Sequence, residues 1–520
     1  MTDSRVRRFL PIRATALVLP LAANIGAAAY HVGPGQSLSK IGDAPLSALR
    51  PGDTVHIHAR PEPYREKFVL AAEGTEQAPI VVRGVPDPAD GSLPRLRGDG
   101  ATTPAPLNFW SETRGIVKVG GSNTPSAVPK HVRIENLDIS GARSANSFVD
   151  DGGNSAKYDE NASGIFVESG EHIQIKGCHL HDNGNGLFVA WQAKDVLVES
   201  NLIRDNGNPG SAYEHNSYTE ADGIVFQFNT YGPLCEGCSG NNLKDRSAGT
   251  VVRYNRIDGG NRQLDLVESG HDELRSLPSY RRTFVYGNLL IERAGSGNRQ
   301  MVHYGGDNGN TTTYRNGILH FYHNTLWSDR TDRNTLVRLS SARDTADIRN
   351  NILHTKSVGS SLEILAGEGV ALLGGNWLPA GWNKSFELVG AVTESGTNAT
   401  GTDPGFVDLA AEDFRVAAGS PSRGVAGQLS ADASARSPAL ALVDASPLAW
   451  ADRTDLGIAG AFAPVEGTGV ATAPDRRNAK PASQFLPLQG VRHSARGAWF
   501  DAAGRKDAPS KLRSATTSPR

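Results

Sequence analysis

A short phrase recurs along the middle of the chain and constrains the fold more than any other feature. Between residues 130 and 355, a run of alternating β-branched residues is followed by a small polar residue or Asn, and then by another apolar pair. From Cys178 the polar markers are 23, 54, 33, 36 and 27 residues apart, a spacing typical of coils of about 20 to 25 residues with insertions. The copies are 132–137, 173–180, 196–203, 251–257, 284–290, 321–326 and 348–353. Repeats of this kind predict an all-β fold, a parallel β-helix in which each coil stacks on the previous one.

The recurring asparagines have a structural explanation. Each coil bends sharply between strands and leaves turn amides without partners, which a stacked Asn side chain can satisfy. A second strand leads each coil and predicts an inward column of Ile165, Leu187, Ile224, Leu243, Leu264, Met301 and Leu336. The residues that follow the column members, including Lys244 and Asp265, are then expected to face solvent, whereas His303 is expected to point inward.

Composition agrees with a loop-rich β protein and excludes several classes. The 520 residues include 58 Gly and 29 Pro, which argues against a helical bundle. No apolar run approaches the roughly 18 residues that span a bilayer. The formal net charge of -2 provides no overall basic field for nucleic acid or an anionic membrane. We therefore expect a monomer without nucleic-acid or membrane partners.

The two ends of the chain differ from its middle. Basic residues 5–8, a mildly apolar stretch 14–23 and the small residues Ala27–Ala29 predict a signal peptide over residues 1–29, hence a secreted or periplasmic protein. An ordinary N-terminal tail is the alternative. Residues 30–462 then form the β-helix domain, and residues 463–520 a weakly ordered tail. Cys235 and Cys238 favour a local disulfide or two thiols over a metal site, because no second C-x-x-C pair is present.

Sequence segments near both ends of the predicted β-helix domain resemble those of a known superfamily. Residues 46–58, with their Pro51-Gly-Asp53 turn, resemble the opening of secreted right-handed β-helix polysaccharide lyases of the pectate lyase-like fold. Residues 403–408 and 456–462 resemble the way many such chains end. The resemblance implies a right-handed helix whose first coil is capped by an N-terminal amphipathic helix, with long inserted loops.

Insertions between coils locate the candidate site, because ligands of a β-helix lie in a groove bounded by loops. The largest insertions are 144–162, 206–222, 228–241 and 271–282. The last three are expected to surround the strand Leu243–Ser247, the copy whose outward positions, Lys244 and Arg246, are basic.

Residues 242–255 resemble the segment that carries the catalytic lysine in the alginate lyase and chondroitinase B branch. The resemblance implies that Lys244 is the base, with a pKa lowered by Arg246 and by burial, and that Arg246 neutralises a substrate carboxylate. The family's next arginine would fall at Val267–Glu268, which is not basic, so Arg262 is an alternative guanidinium. No cofactor is assigned, and calcium stays open, because the family's acidic ligands are absent from residues 235–242 while an acidic loop at 150–159 offers oxygen ligands.

Further candidates come from the residues around this strand. His215 and Tyr218, in the loop before Gly223, are an alternative base and acid pair. The predicted substrate-binding residues are Trp191, Arg262, Asp265, Glu268, His271 and Tyr304. The plain alternative for Lys244 is a solvated lysine paired with Asp265, since adjacent coils lie about 4.8 Å apart.

Three functions remain open. The preferred one is a lyase that cleaves an acidic, uronic-acid-containing polysaccharide by β-elimination, because a cationic strand suits a polyuronate. The second is a glycoside hydrolase with a carboxylate pair drawn from Asp222, Asp245, Asp265 and Glu268. The third is a noncatalytic carbohydrate-binding surface protein with Trp191, Tyr218 and Tyr304 as aromatic platforms.

Overall fold

The computed structural model describes residues 26–104, 111–121, 128–387 and 390–465. Most of the predicted signal peptide and nearly all of the predicted tail lie outside these residues. The described N-terminal strands are β1 Ala29–Val32, β2 Thr54–His58, β3 Phe68–Leu70, β4 Ile80–Val85, β5 Arg95–Arg97, β6 Gly115–Val119, β7 Lys130–Glu135, β8 Asp138–Ser140, β9 Ser147–Val149, β10 Ser155–Lys157, β11 Ser163–Lys176, β12 His179–Leu180, β13 Asn185–Glu199, β14 Leu202–Ile203, β15 Ser217–Gln227, β16 Thr230–Tyr231, β17 Leu243–Asp245 and β18 Ala248–Arg253.

The remaining strands are β19 Arg256–Asp258, β20 Leu264–Leu266, β21 Arg282–Tyr286, β22 Leu289–Glu292, β23 Gln300–Tyr304, β24 Ile318–Tyr322, β25 Thr325–Ser328, β26 Asn334–Leu339, β27 Thr345–Arg349, β28 Ile352–Thr355, β29 Leu362–Gly367, β30 Val370–Gly374, β31 Trp377–Pro379, β32 Ala391–Glu394, β33 Ala399–Gly401, β34 Phe406–Asp408, β35 Asp413–Val416, β36 Leu440–Ala445 and β37 Leu448–Asp452. In the described residues the helices are short: α1 Asp272–Arg275, α2 Ala431–Ser434 and four 3-10 turns at Ile41–Asp43, Glu112–Arg114, Pro278–Arg281 and Gly359–Ser361.

The strands stack into three parallel walls, which confirms the predicted parallel β-helix. The first wall runs from β3 through β6, β11, β13, β15, β17, β20, β23 and β26 to β29, each strand parallel to the next. The second runs from β1 to β32, and the third joins eleven strands from β5 to β33. Strands β11, β13 and β15 are long enough to run through both of the first two walls, so those walls form one continuous sheet.

Stacked asparagines line one turn of the helix, as the sequence predicts. The Oδ1 atom of Asn288 accepts from the backbone N–H of Asn255 at 2.9 Å, and its Nδ2 donates to Asn324 Oδ1 at 2.9 Å and to Val252 O at 2.9 Å. The same pattern continues at both ends and runs from Asn201 to Asn398. Asn229 fills the long 54-residue step, which therefore contains an extra coil.

The register of the first wall differs from the prediction at three places. Ser217, not Ile224, pairs with Leu187, because β15 continues into the second wall and carries Ile224 there, opposite Val196. Three and four coils further along, Val302 and Val337 take the positions predicted for Met301 and Leu336. A shift of one residue reverses the two faces of a strand, so the prediction that His303 points inward is wrong.

The cap at the N-terminal end is shorter than the resemblance implies. The regular element there is the single 3-10 turn Ile41–Asp43. The backbone becomes extended at Ala44, because a proline such as Pro45 disfavours a helical conformation in the residue that precedes it. Ile41, Leu46 and Leu49 still bury their side chains against the first coils.

Residues after the last coil pack along the side of the solenoid. The stacked coils end at β33, and the antiparallel hairpins β34–β35 and β36–β37 follow it. Trp450 and Phe462 pack there with outward aromatic residues such as Tyr254, whose hydroxyl accepts from the backbone N–H of Ala439 at 3.0 Å. Among the described residues, no helix is long and apolar enough to cross a membrane.

The Asn ladder yields a stability prediction. Asn288→Ala removes an acceptor and donor from a fully buried turn, so we expect the free energy of unfolding to fall by about 2–3 kcal/mol. Urea unfolding followed by circular dichroism measures the change. Asn154→Ala, at an exposed turn whose bonds are local, is the matched control and should cost much less. Equal losses in the two variants would contradict a special role for the ladder.

Candidate active site

The outward face of the first wall changes character along its length. The column of outward residues reads Val69, Lys118, Phe166, Phe188, Tyr218, Lys244, Asp265, His303, Arg338 and Ala366. Phe166, Phe188 and Tyr218 form one apolar cluster. From Lys244 to Arg338 every member of the column is charged or titratable, and this is the part of the wall where the sequence places the site.

Lys244 points outward but is not solvated. Its side chain is 8% exposed, and Nζ lies 2.7 Å from Asp265 Oδ2 and 2.6 Å from Asp307 Oδ2. The predicted pairing with Asp265 is present, whereas the expected exposure of both residues is wrong because an inserted loop covers them. Burial disfavours the ammonium, but the two carboxylates outweigh it and raise the pKa of Lys244. The predicted lowering of this pKa is therefore wrong, and Lys244 is a stable cation in this arrangement.

Asp265 is saturated with partners and fixes the position of Lys244. Its Oδ2 also accepts from Asn241 Nδ2 at 2.8 Å, and its Oδ1 lies 2.7 Å from His303 Nδ1. His303 Nε2 in turn lies 2.7 Å from Ser340 Oγ. Although burial opposes ionisation, Lys244 and His303 hold the pKa of Asp265 below its ordinary value.

Arg246, two residues after Lys244, connects the other members of the cluster. Its Nε donates to Tyr218 Oη at 2.9 Å, Nη2 lies 3.1 Å from Asp307 Oδ1, and Nη1 donates to the backbone oxygen of Glu268 at 2.5 Å. The Glu268 carboxylate lies 3.4 Å from Nη1. One guanidinium thus joins a phenol oxygen to a carboxylate.

Asp307 is the residue that sequence reasoning missed. It lies in a Gly-Asp-Asn-Gly run that indicates only a turn, and nothing in that run shows that the loop crosses the first wall. Its backbone N–H and that of Asn308 donate to the Glu268 carboxylate at 2.8 and 3.0 Å. Burial opposes ionisation of Asp307, but Lys244 and Arg246 lower its pKa. Its side chain is 34% exposed, far more than those of Lys244, Arg246, Asp265 and Glu268.

His215 and Tyr218 both face the cluster, although neither lies in an exposed loop as expected. Tyr218 belongs to β15, because the insertion ends at Asn216, and both side chains are buried. Burial, followed by the charge of Lys244, lowers the pKa of His215 to about 3. His215 Nδ1 accepts from the backbone N–H of Asn241 at 2.9 Å, so the proton of the neutral ring lies on Nε2. Burial raises the pKa of Tyr218 against the opposing charges of Arg246 and Lys244.

A second buried group adjoins Arg246. Glu220, two residues after Tyr218, accepts from the hydroxyl of Ser269 and from the backbone N–H of Gly270 at 3.0 Å. Burial raises the pKa of Glu220 to about 7. His271 Nε2 lies 3.9 Å from its Oε2, and the ring stacks on Trp191 with centroids 4.4 Å apart. His271 and Trp191 thus pack beneath the α1 insertion instead of lining an open groove.

Other predicted residues lie away from the cluster or at its edge. Tyr304 is fully buried inside the coil, on the opposite face from His303, so the prediction that it binds substrate is wrong. Arg262 lies at the edge, 4.0 Å from Asp265 Oδ1. Asp245 is an interior residue that accepts from Thr219, Ser247 and Thr250, and Asp222 pairs with Lys194 on the second wall.

Metal ligands and cysteines add little to this region. In the described parts of the chain, no group of three or more His, Cys, Asp or Glu side chains is arranged to hold a metal ion. Cys235 and Cys238 are joined as a disulfide, and Cys178 is free and buried. The side chains that meet at this centre are two cations, a phenol and a neutral imidazole around one partly exposed carboxylate.

The buried ion pairs of Lys244 predict a pH-dependent loss of stability. Lys244→Met leaves Asp265 buried without its cation, so we expect the free energy of unfolding at pH 7 to fall by about 3–5 kcal/mol. Because Asp265 has a depressed pKa in the folded protein, its stabilising effect is present at neutral pH and lost at acid pH. The deficit should therefore shrink as the pH falls below about 4, where carboxyl groups become protonated. Urea unfolding at pH 7 and at a series of pH values from 4 down to about 2 tests this, with the exposed Lys157→Met as control; a deficit that stays constant over the whole series would contradict the assignment.

The comparisons with known proteins concern the fold. Residues 115–274 match a family profile described as a right handed beta helix region. Similar solved structures include alginate lyase from Paenibacillus sp. str. FPU-7, with 14% identity over 68% of this chain and 94% of that one and a TM-score of 0.39. GH136 lacto-N-biosidase from Eubacterium ramulus is 13% identical over 72% of this chain and 68% of that one, with a TM-score of 0.44. Pectate lyase Pel9A is 11% identical over 78% of this chain and 94% of that one, with a TM-score of 0.42.

These identities and TM-scores are too low to say anything about the reaction of this chain. No curated protein matches it. The profile match and the stacked coils agree in the region that contains Tyr218, Lys244, Arg246 and Asp265. The chain folds as a parallel β-helix, and its residues 115–274 match the right-handed β-helix profile.

Proposed function

We propose that the protein is an exported carbohydrate-active enzyme, specifically a lyase that cleaves a uronic-acid-containing polysaccharide by β-elimination. One observation carries the proposal: Lys244 and Arg246 converge on a single carboxylate, that of Asp307, and Arg246 also bonds the phenol oxygen of Tyr218. β-Elimination needs a neutralised carboxylate beside the carbon that loses its proton, and this arrangement supplies a place for one.

Arg246 sets the geometry of the first step. In a uronate bound with its carboxylate between Lys244 and Arg246, C5 is the carbon next to that carboxylate. The guanidinium holds Tyr218 Oη 2.9 Å from Nε while Nη2 faces the carboxylate, so the phenol oxygen lies beside the place where the substrate carboxylate would bind. Tyr218, as phenolate, takes the C5 proton, and Lys244 and Arg246 stabilise the negative charge that develops on the carboxylate.

The second step breaks the bond between C4 and the glycosidic oxygen. The electron pair left at C5 forms the C4–C5 double bond as the C4–O bond breaks, and the leaving oxygen takes a proton. The His215 ring lies near the same charged groups, and its Nε2–H can donate that proton, as can the protonated Tyr218. In this scheme Lys244 remains a cation throughout, and it does not act as the base.

A carboxylate-pair hydrolase receives less support from the geometry. Asp265 and Glu268 are saturated with partners, Asp245 is interior, and Asp222 lies on another wall. Asp307 is the partly exposed carboxylate among the described groups that contact Lys244 and Arg246. A pair spaced across an open groove, which hydrolysis needs, is not formed by these groups.

A substrate panel tests the reaction class. The purified protein is incubated with alginate, polygalacturonate and chondroitin, and with neutral glycans, with and without chelator. We expect ultraviolet absorbance from the new C4–C5 double bond with at least one polyuronate and none with neutral glycans. New reducing ends without that absorbance would show hydrolysis, and binding without cleavage would show a noncatalytic protein; either result rejects the lyase.

The role of Tyr218 gives a mutational prediction. Tyr218→Phe removes the proton acceptor and should lower kcat about 10²- to 10⁴-fold, the range for one general acid–base group. Tyr213→Phe, at a largely exposed tyrosine five residues earlier, is the control and should keep wild-type activity. Initial rates on the polyuronate that is cleaved provide the measurement. Full activity of Tyr218→Phe would assign the proton transfer to another group.

The same role predicts how activity depends on pH. Since burial raises the pKa of Tyr218, the phenolate is scarce at neutral pH, and kcat/KM should rise about tenfold per pH unit between pH 7 and pH 9. The raised pKa of Lys244 keeps that residue charged over the same range. A pH–rate profile that falls above pH 7 would point to a protonated group, not Tyr218, in the first step.

A further inference from the structure

The loop that carries Asp307 is firmly attached at its base and lightly attached at its tip. At the base, the Arg315 N–H donates to Gly305 O at 3.0 Å, and the buried Arg315 guanidinium donates to Ser247 O at 2.9 Å. At the tip, residues 307–312 are exposed, and side chains such as Asn308 and Asn310 bond within the loop. The loop can therefore change at its tip without disturbing the coils.

The loop tip contacts the first wall through Asp307 and Asn308. The carboxylate of Asp307 bonds Lys244 and Arg246, and the N–H groups of Asp307 and Asn308 bond Glu268. Through these contacts the tip lies over the two cations, whose side chains are only 7–8% exposed. Any ligand that reaches Lys244 and Arg246 has to replace the Asp307 carboxylate.

We propose that Asp307 is an internal competitor for the substrate's carboxylate and the specificity-determining residue of this site. The inference rests on the proposed function, because it takes the incoming ligand to be a uronate. In the free protein Asp307 fills the carboxylate subsite. A uronate carboxylate takes its place between Lys244 and Arg246, and the loop tip moves aside.

Charge explains why the exchange selects for acidic sugars. Lys244 and Arg246 are buried, and each has two carboxylate partners, one of which is Asp307; losing one partner of a buried cation is unfavourable. A uronate offers the same group that it displaces, so both cations keep two carboxylate partners. A neutral sugar offers only hydroxyls, so it would leave Lys244 and Arg246 without the Asp307 carboxylate and without another carboxylate in its place. The loop therefore rejects neutral sugars as well as admitting acidic ones.

Competition also lowers the apparent affinity for the correct ligand. A ligand that binds only when Asp307 is displaced binds more weakly in proportion to the fraction of molecules in which the subsite is free. Removing the charge of Asp307 raises that fraction. We therefore expect a substitution that removes the charge of Asp307 to increase the affinity for a uronate, although Asp307 contacts two buried cations.

Calorimetric titration with monomeric sugars tests the expected increase in affinity for uronates. We expect Asp307→Asn to bind sodium D-glucuronate or D-galacturonate at least about tenfold more tightly than wild type, a change of about 1.4 kcal/mol. Thr311→Ala, at an exposed position of the same loop, should match wild type. D-Glucose and D-galactose should not bind any of the three proteins measurably. Unchanged or weaker uronate binding by Asp307→Asn would overturn the inference.

A second measurement uses the wild-type protein and does not depend on the variant's folding. Hydrogen exchange of the Asp307 and Asn308 amides, which bond Glu268, should accelerate when D-glucuronate or D-galacturonate saturates the site. Slower or unchanged exchange at saturation would mean that the loop tip stays in place, and would reject the displacement.

The two proposals fail in different ways. Tighter uronate binding by Asp307→Asn without any unsaturated product would reject the lyase while the carboxylate subsite stands. Elimination by the wild type with no effect of Asp307→Asn on uronate binding would reject the competitor while the lyase stands.

Discussion

Parallel stacking in register is the constraint on which the rest of this structure depends. Each residue of a coil lies about 4.8 Å from its equivalents in the coils above and below, so the neighbours of a side chain are set mainly by its column. An apolar column inside gives a continuous core. A polar residue at a turn must be able to bond a copy of itself, which Asn does because its amide both donates and accepts.

The same constraint shapes the outward face at the candidate site. Like charges in adjacent coils would repel, and the column accordingly passes from Lys244 to Asp265 and then to His303. Each of these groups becomes a partner of the next, so Asp265 holds both Lys244 and His303. The position of the candidate catalytic cation is thus a consequence of how the coils stack.

Sequence periodicity predicts the structural features that repeat from coil to coil, but it does not predict those that occur only once. The coils, the Asn ladder and the contact between Lys244 and Asp265 follow from the spacing of like residues. His303 was assigned to the wrong face because a one-residue shift in β23 is invisible in an alternating apolar run. Asp307 could not be found at all, because the path of an inserted loop depends on contacts such as those of Arg315 and Glu268, which have no periodic signature.

Burial and the neighbouring Arg246, considered without the carboxylates, predict the wrong direction for the pKa of Lys244. The lysine is as buried as expected of a group with a lowered pKa, but two carboxylates lie within 2.7 Å of its Nζ and stabilise the charged form. The number of opposite charges in contact, which sequence does not provide, decides the direction. This moves the proposed proton transfer from Lys244 to Tyr218 and leaves Lys244 to neutralise charge.

Burying the charged side chains of Lys244, Arg246 and Asp307 costs free energy, and this cost bears on why they are present. Two and three coils earlier the same outward column contains Phe188 and Phe166, whose own side chains bury apolar surface and carry no charge. Replacing a buried ion pair by well-packed apolar residues is often neutral or stabilising, so stability alone does not call for Lys244, Arg246 and Asp307 at this place. Fold formation would be served equally well by continuing the aromatic column. The abrupt change from apolar to charged side chains is therefore better explained by a ligand that needs those charges, and a carboxylate is the group that the two cations already hold.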